Sequence, residues 1–244
     1  MFSYLYHLVI FDPLYNGLIT LFYEAPWIDA GFAVIIFTIA VRLILFPLSK
    51  KSIVTQGRMK EIEPELNRLK VSVPDKQQQA LKVMELYKKK GVNPFSSFFL
   101  LFLQLPIIYA LYYIFVRSGL PVIDKTLLYS GLLNHIPTIN MHFLGIFDLS
   151  QRSIFLSLLA ALGQFLQLHF SLASSPSKSN DPSNQAINAA QDMMKNMKYI
   201  FPVIIFFISY KISAVVAIYW TVSSLFTLAQ EIVVRRHIKK HQPL

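Results

Sequence analysis

One arginine lies within an otherwise apolar stretch of this chain. Arg42 interrupts the run FAVIIFTIAVRLILFPL at 32–48, seven residues before Ser49. With a rise of about 1.5 Å per helical residue, its Cα would lie on the order of 10 Å below a membrane boundary at Ser49, where a charge costs roughly 2.5 to 3.5 kcal/mol. The chemistry that this residue offers is a fixed positive charge, which attracts acidic groups most strongly where the dielectric constant is low.

Two explanations account for a charge at this depth. The Arg42 side chain could snorkel to lipid headgroups near Lys50 and Lys51, or it could line a water-accessible cavity within a helix bundle. Side chains on a helix point toward its N-terminus, whereas both lysines follow Arg42 in the chain. This direction favours the cavity.

No other residue pattern indicates catalysis or a bound cofactor. The six histidines are scattered between positions 7 and 241, and the chain contains no cysteine. The sequence also lacks H-E-x-x-H, G-x-S-x-G and G-x-x-x-x-G-K-[ST], the patterns of zinc proteases, serine hydrolases and phosphate-binding loops. We therefore expect no enzyme, no metal site and no other cofactor.

The composition predicts that a membrane surrounds Arg42. Of the 244 residues, 54% are hydrophobic and 15% are charged, and the mean hydropathy is +0.47. These values are too apolar for an ordinary soluble domain. We predict an all-α integral membrane protein with five transmembrane helices, a cytoplasmic helical hairpin and an N-terminal interfacial helix. The predicted segments are an N-terminal outer-surface segment (1–26), the first span (27–49), the hairpin (50–93), the second span (94–117), an outer loop (118–151), the third span (152–173), a cytoplasmic linker (174–198), the fourth span (199–211), the fifth span (214–234) and a basic cytoplasmic tail (235–244).

The basic residues predict the orientation of these spans. With 50–93, 174–198 and 235–244 on the inside, 18 of the 23 Lys and Arg residues lie there. This distribution satisfies the positive-inside rule. It predicts an N-terminus outside the membrane and a C-terminus in the cytoplasm.

Two groups of basic residues are candidate contacts for a partner protein. Lys88, Lys89 and Lys90 end the second arm of the predicted hairpin, and Arg235 and Arg236 open the basic tail. Partner contact is one interpretation of the hairpin, and an ordinary solvated cytoplasmic loop is the other.

Three further residues are polar or aromatic candidates within the spans. Gln104 lies in the second predicted span, and Tyr219 and Trp220 lie in the fifth. Each of them, seen alone, is more often a helix-packing contact than a ligand.

Seven stretches along the chain resemble one protein family, in the same order. They are DPLYNGL at 12–18, VRLILFPLSKKS at 41–52, MKEIEPELNRLK at 59–70, LYKKKGVNPFSSFFLLFLQLPIIYALY at 86–112, FLGIFDLS at 143–150, MKNMKYIFPVIIFF at 194–207 and AIYWTVSSLFTLAQ at 217–230. With these stretches the chain resembles the YidC family of membrane protein insertases, which includes the mitochondrial oxidase-assembly and thylakoid insertases. GVNP followed by QLPI is specific for that family.

The resemblance implies five core spans around a hydrophilic groove that opens to the cytoplasm and to lipid. Arg42 matches the arginine at the centre of that groove. Gln104 on the second span and Tyr219 or Trp220 on the fifth are expected to face it. The implied partners are nascent membrane proteins and membrane lipids, without a specific nucleic acid. The Sec translocon, the ribosome and the signal recognition particle receptor are further candidates.

The function implied by the resemblance is insertion of nascent transmembrane segments into a bacterial plasma membrane. The residues themselves leave a second function open, that of a small solute transporter or channel. Against that function, the spans show no evident inverted repeat and no paired discontinuous helices.

Overall fold

The structure, a computed structural model, describes residues 2–73, 75–93, 96–117, 120–132, 137–172 and 185–241. Most of these residues are helical. The α-helices are α1 (Phe2–Tyr6), α2 (Asp12–Glu24), α3 (Ala30–Ile44), α4 (Phe46–Glu61), α5 (Glu63–Ser72), α6 (Lys76–Lys89), α7 (Ser96–Tyr112), α8 (Ile154–Leu172), α9 (Gln185–Ile212) and α10 (Ala214–His241). Two short strands, β1 (His142–Phe143) and β2 (Phe147–Asp148), pair in antiparallel fashion.

Several helices are long and apolar enough to cross a membrane. Three such segments occur among the described residues, Tyr4–Glu24, Ile154–Ser171 and Ala214–His237. A fourth span results if α3 and the first part of α4 cross together. The chain is therefore an all-α membrane protein in its described part, and the count of five spans stays a prediction.

The first predicted span is not one continuous helix. α3 ends at Ile44 and α4 begins at Phe46, with a turn at Leu45 between them. Pro47 explains the interruption, because its ring has no N–H to donate and clashes with the carbonyl four residues earlier in a helix. The rise of a straight helix down to Ser49 therefore does not measure the depth of Arg42.

The predicted linker at 174–198 is partly helical. α9 begins at Gln185 and continues without a break through the predicted fourth span to Ile212. Its first half is rich in Ala, Gln, Met and Lys, which favour helix even where the residues are polar. Residues 173–184, which hold most of the polar low-complexity run, lie outside the described residues.

The chain divides into two compact units. The first consists of Met1–Ile44, Leu101–Gln164 and Pro202–Phe226, and the second of Leu45–Leu100, Phe165–Phe201 and Thr227–Leu244. In the first unit, the buried side chains of α2 include Tyr15, Leu18, Ile19 and Phe22. In the second unit, Ile62, Leu66, Leu86 and Val92 form a buried hydrophobic cluster.

Two polar side chains of α2 hold part of the predicted outer loop. The Tyr15 hydroxyl accepts a hydrogen bond from the N–H of Asp124 at 2.9 Å. The Asn16 amide donates to the Leu127 carbonyl at 3.0 Å and accepts from the N–H of Tyr129 at 2.7 Å. Asn16 is only 2% exposed, so these bonds replace the water that its amide loses on burial.

The β1–β2 hairpin packs against the start of α3. The N–H of Ala30 donates to the Asn140 carbonyl at 2.8 Å. The Asp29 carboxylate accepts from the N–H of Phe32 at 2.9 Å and from the N–H of Leu144 at 3.1 Å. One acidic side chain thus satisfies a free amide in the first turn of the helix and joins the hairpin to it.

We expect Gly31→Ala to destabilise this junction by about 1 to 3 kcal/mol, because a methyl group there would overpack the site. A Cβ on Gly31 would overlap the Phe143 ring. It would also lie 2.9 Å from the Cβ of Phe143, so the hairpin backbone would have to move. Thermal unfolding in detergent should show a lower midpoint.

Gly57→Ala in α4 is the matched control for this variant. Nothing lies within 4 Å of a Cβ placed on Gly57. This substitution should be neutral or stabilise the helix by up to about 1 kcal/mol. Equal midpoints for the two variants would contradict the close packing at Gly31.

Candidate functional site

The guanidinium of Arg42 meets two other helices. From α3, its Nη2 donates to Oε1 of Gln104 on α7 at 3.0 Å and to the hydroxyl of Ser223 on α10. The amide nitrogen of Gln104 donates in turn to the hydroxyl of Tyr219, also on α10. These four side chains, which we call the Arg42 cluster, tie three helices of the first unit together.

The spacing along α10 divides its polar residues between two faces. Tyr219 and Ser223 are four residues apart and therefore share one face. Trp220 and Ser224 lie on the face turned by about 100°. Both donate to Oε1 of Gln164 on α8, at 3.0 and 3.2 Å. The structure thus joins Tyr219 to the Arg42 cluster and Trp220 to a second polar group on α8.

The Arg42 cluster retains a positive charge. Arginine does not deprotonate in proteins, and the side chains that bind it here are neutral. Among the described residues, no ion pair includes Arg42. The hydrogen bonds of the described residues use only Nη2 of its guanidinium. Its remaining donors are suited to an acceptor such as a carboxylate.

The three lysines at the C-terminal end of α6 differ in their surroundings. Lys88 and Lys89 are exposed at the end of the helix. Lys90 forms an ion pair with Glu65, with 2.6 Å between Nζ and Oε1. This ion pair joins the residue after α6 to the first turn of α5.

The two arginines of the predicted basic tail also differ. Arg235 donates to the Glu231 carboxylate and, at 3.3 Å, to the Ser171 carbonyl, and it lies 5.4 Å from the centroid of the Phe170 ring. Glu231 is only 3% exposed. Arg236 is exposed. Arg235 therefore joins α10 to the end of α8, whereas Arg236 remains the better candidate for a partner contact.

No metal site is evident in the part of the chain that the structure describes, since no three His, Asp or Glu side chains there converge.

Comparison with known proteins decides the family. The sequence profile of the 60Kd inner membrane protein family matches residues 22–241, a range that contains the whole Arg42 cluster. The chain belongs to this family.

Several known proteins are similar to this chain over most of its length. A membrane protein insertase YidC from Clostridium tetani is 30% identical over 96% of this chain and 94% of the relative. One from Fusobacterium nucleatum is 32% identical over 82% and 83%, and the insertase MisCB from Bacillus subtilis is 30% identical over 92% and 77%. These matches confirm the resemblance to YidC-type insertases. Together with the apolar helices, they indicate a multi-pass bacterial cell membrane protein.

Sequence reasoning did not single out Ser223 as a site residue of this family member. The available signal is its spacing of four residues from Tyr219, which places both on one helical face. The contact of Ser223 with Arg42 depends on how α3 and α10 pack, and a sequence pattern does not specify that packing.

We expect Trp220→Phe to cost about 1 to 2 kcal/mol of stability, because Gln164 loses its indole donor within a buried site. Thermal unfolding in detergent would measure the loss. Tyr219→Phe removes a hydroxyl from the Arg42 cluster instead. If the two faces are separate, the double variant should show additive losses within about 0.5 kcal/mol. A larger departure from additivity would contradict the separation.

Proposed function

We propose that this chain inserts transmembrane segments of nascent proteins into the bilayer, and that the Arg42 cluster receives the polar or acidic flank of each client. The observation that carries the proposal is the positive charge held in an apolar helix by neutral acceptors, Gln104 and Ser223. A carboxylate partner would have cancelled that charge. Neutral partners orient the guanidinium and leave it able to attract an acidic group.

The proposed mechanism shortens the dry path of a polar flank. A carboxylate is costly to place in hydrocarbon, and a nearby fixed charge offsets part of that cost. The membrane potential, negative inside, favours outward movement of an acidic flank by about 2.3 kcal/mol per charge per 100 mV. No covalent bond changes and no nucleotide is consumed, so the chain acts as a guide and not as an enzyme.

The wider arrangement belongs to the same proposal. α3, α7 and α10 would line a hydrophilic groove open to the cytoplasm and to lipid, within five spans whose N-terminus lies outside. The α5–α6 pair would be a cytoplasmic hairpin that meets the client first, with Lys88 and Lys89 at its exposed end. Nascent membrane proteins and lipids are the partners. The Sec translocon, the ribosome and the signal recognition particle receptor are the further candidates.

Complementation tests the function. The chain is expressed in bacterial cells depleted of their own insertase, and protease protection follows a small single-span client. Restored protection is the expected result. Absence of rescue, with the chain demonstrably in the membrane fraction, would contradict the proposal.

A further inference from the structure

The β1–β2 hairpin ends in a turn with two exposed aliphatic side chains. The N–H of Ile146 donates to the Phe143 carbonyl at 3.1 Å, which closes the turn around Leu144 and Gly145. Both central residues have positive φ, 55° and 71°. Leu144 is 55% exposed and Ile146 is 75% exposed.

Neither the turn nor the core accounts for Leu144. A positive φ favours glycine, asparagine or aspartate, and a leucine there is strained. Its side chain is largely exposed and so contributes little to the packing of the protein. A residue that suits neither its backbone nor water is explained if its side chain meets an apolar phase outside the protein.

The turn lies where two helices of the first unit begin. The N–H of Leu144 donates to the carboxylate of Asp29, directly before α3. The ring of Phe147, after the turn, stacks on the ring of Phe155 in the first turn of α8, with 5.6 Å between centroids. Since α8 is long and apolar enough to cross a membrane, its first turn would lie at a membrane boundary.

The surroundings of the turn are also apolar. Trp27, two residues before Asp29, is 83% exposed, and tryptophan is enriched at membrane–water interfaces. The run FLGIF at 143–147 contains no charged residue. Ile154 and Phe155 at the start of α8 are exposed as well, so the apolar surface of the turn continues into that of a candidate span.

We propose that Leu144, Ile146 and Trp27 insert into the headgroup region of the leaflet at which α3 and α8 begin. The occupant of this surface is lipid, because the run at 143–147 has no charged side chain and its apolar surface continues into that of α8. The anchor would fix the hairpin, and through Asp29 the start of the helix that carries Arg42. It does not depend on the proposed insertase function.

Depth-dependent fluorescence tests the anchor. The chain has no cysteine, so Ile146→Cys provides one labelling site for an environment-sensitive fluorophore. The labelled protein is placed in phosphatidylethanolamine–phosphatidylglycerol vesicles at about one protein per vesicle. Lys125→Cys is the matched control, since Lys125 is an exposed charged residue of the same predicted loop.

The anchor predicts opposite quenching at the two sites. Nitroxide-labelled lipid should quench the label at 146, and aqueous iodide should quench it at least about threefold less than the label at 125. Leu144→Asn, added to Ile146→Cys, should reduce lipid quenching, while asparagine suits the positive φ and preserves the turn. Equal iodide quenching at both sites would overturn the proposal. Protection of the label at 146 from both quenchers would overturn it too, since that result indicates a protein contact, such as a second copy.

Discussion

Arg42→Ala should slow the insertion of clients with acidic flanks by at least about tenfold, which corresponds to about 1.4 kcal/mol. Clients with neutral flanks should stay within about twofold of the unsubstituted chain. The difference arises because two charges 4 Å apart attract by about 4 kcal/mol at an effective dielectric constant of 20, and a neutral flank gains none of this. Protease protection over time, with matched acidic and neutral versions of one client, measures both rates.

Arg42→Lys separates the charge from its geometry. Lysine keeps a positive charge but lacks the guanidinium, whose Nη2 donates to both Gln104 and Ser223. We expect it to restore acidic clients in part. Gln104→Leu and Ser223→Ala keep the charge and loosen its position. Each variant should insert acidic clients at a rate between those of the unsubstituted chain and Arg42→Ala. An equal loss for acidic and neutral clients in Arg42→Ala would mean that the residue acts on the fold and not on the client.

Arg235→Ala should be the most destabilising change at the end of α10, by about 2 to 3 kcal/mol. It would leave the carboxylate of Glu231, which is 3% exposed, without its cation. The figure lies at the lower end for buried pairs because the Arg235 side chain is 25% exposed and water partly screens it. Thermal or dodecyl sulfate unfolding in detergent would measure the loss.

Arg236→Ala is the matched control for that experiment. It removes the same charge from the next residue, which is exposed. Its cost should stay within about 0.5 kcal/mol. If both variants unfold at the same midpoint, the Glu231 pair does not stabilise the end of α10. If the basic tail contacts a partner, Arg236→Ala should slow client insertion while it leaves the unfolding midpoint nearly unchanged.

The helical class and most of the Arg42 cluster could be predicted from sequence, for different reasons. In an apolar stretch long enough to cross a membrane, the backbone N–H and C=O groups find no water, and a helix is the main structure that pairs them all. Arg42 and Gln104 are conspicuous because polar residues are rare in such stretches. The break at Leu45 was missed, although Pro47 was visible, because the apolar pattern continues through it.

The contacts between helices were the part that sequence could not supply. Tyr219 and Trp220 are neighbours in the chain, and helix geometry alone requires that they point in different directions. Which of them meets Gln104 and which meets Gln164 depends on the packing of α10 against α7 and α8. Similarly, nothing in the letters of the basic tail distinguishes Arg235, which is paired, from Arg236.

The neutral acceptors around Arg42 have a consequence for the interval between clients. Gln104 and Ser223 belong to the protein, so they can accept from Nη2 of Arg42 before a client arrives. In the proposed mechanism, an arriving carboxylate therefore meets a guanidinium that is already oriented. When the client departs into lipid, the same two oxygens still hold the guanidinium. Each cycle would begin from the same resting state without a separate step that resets the site.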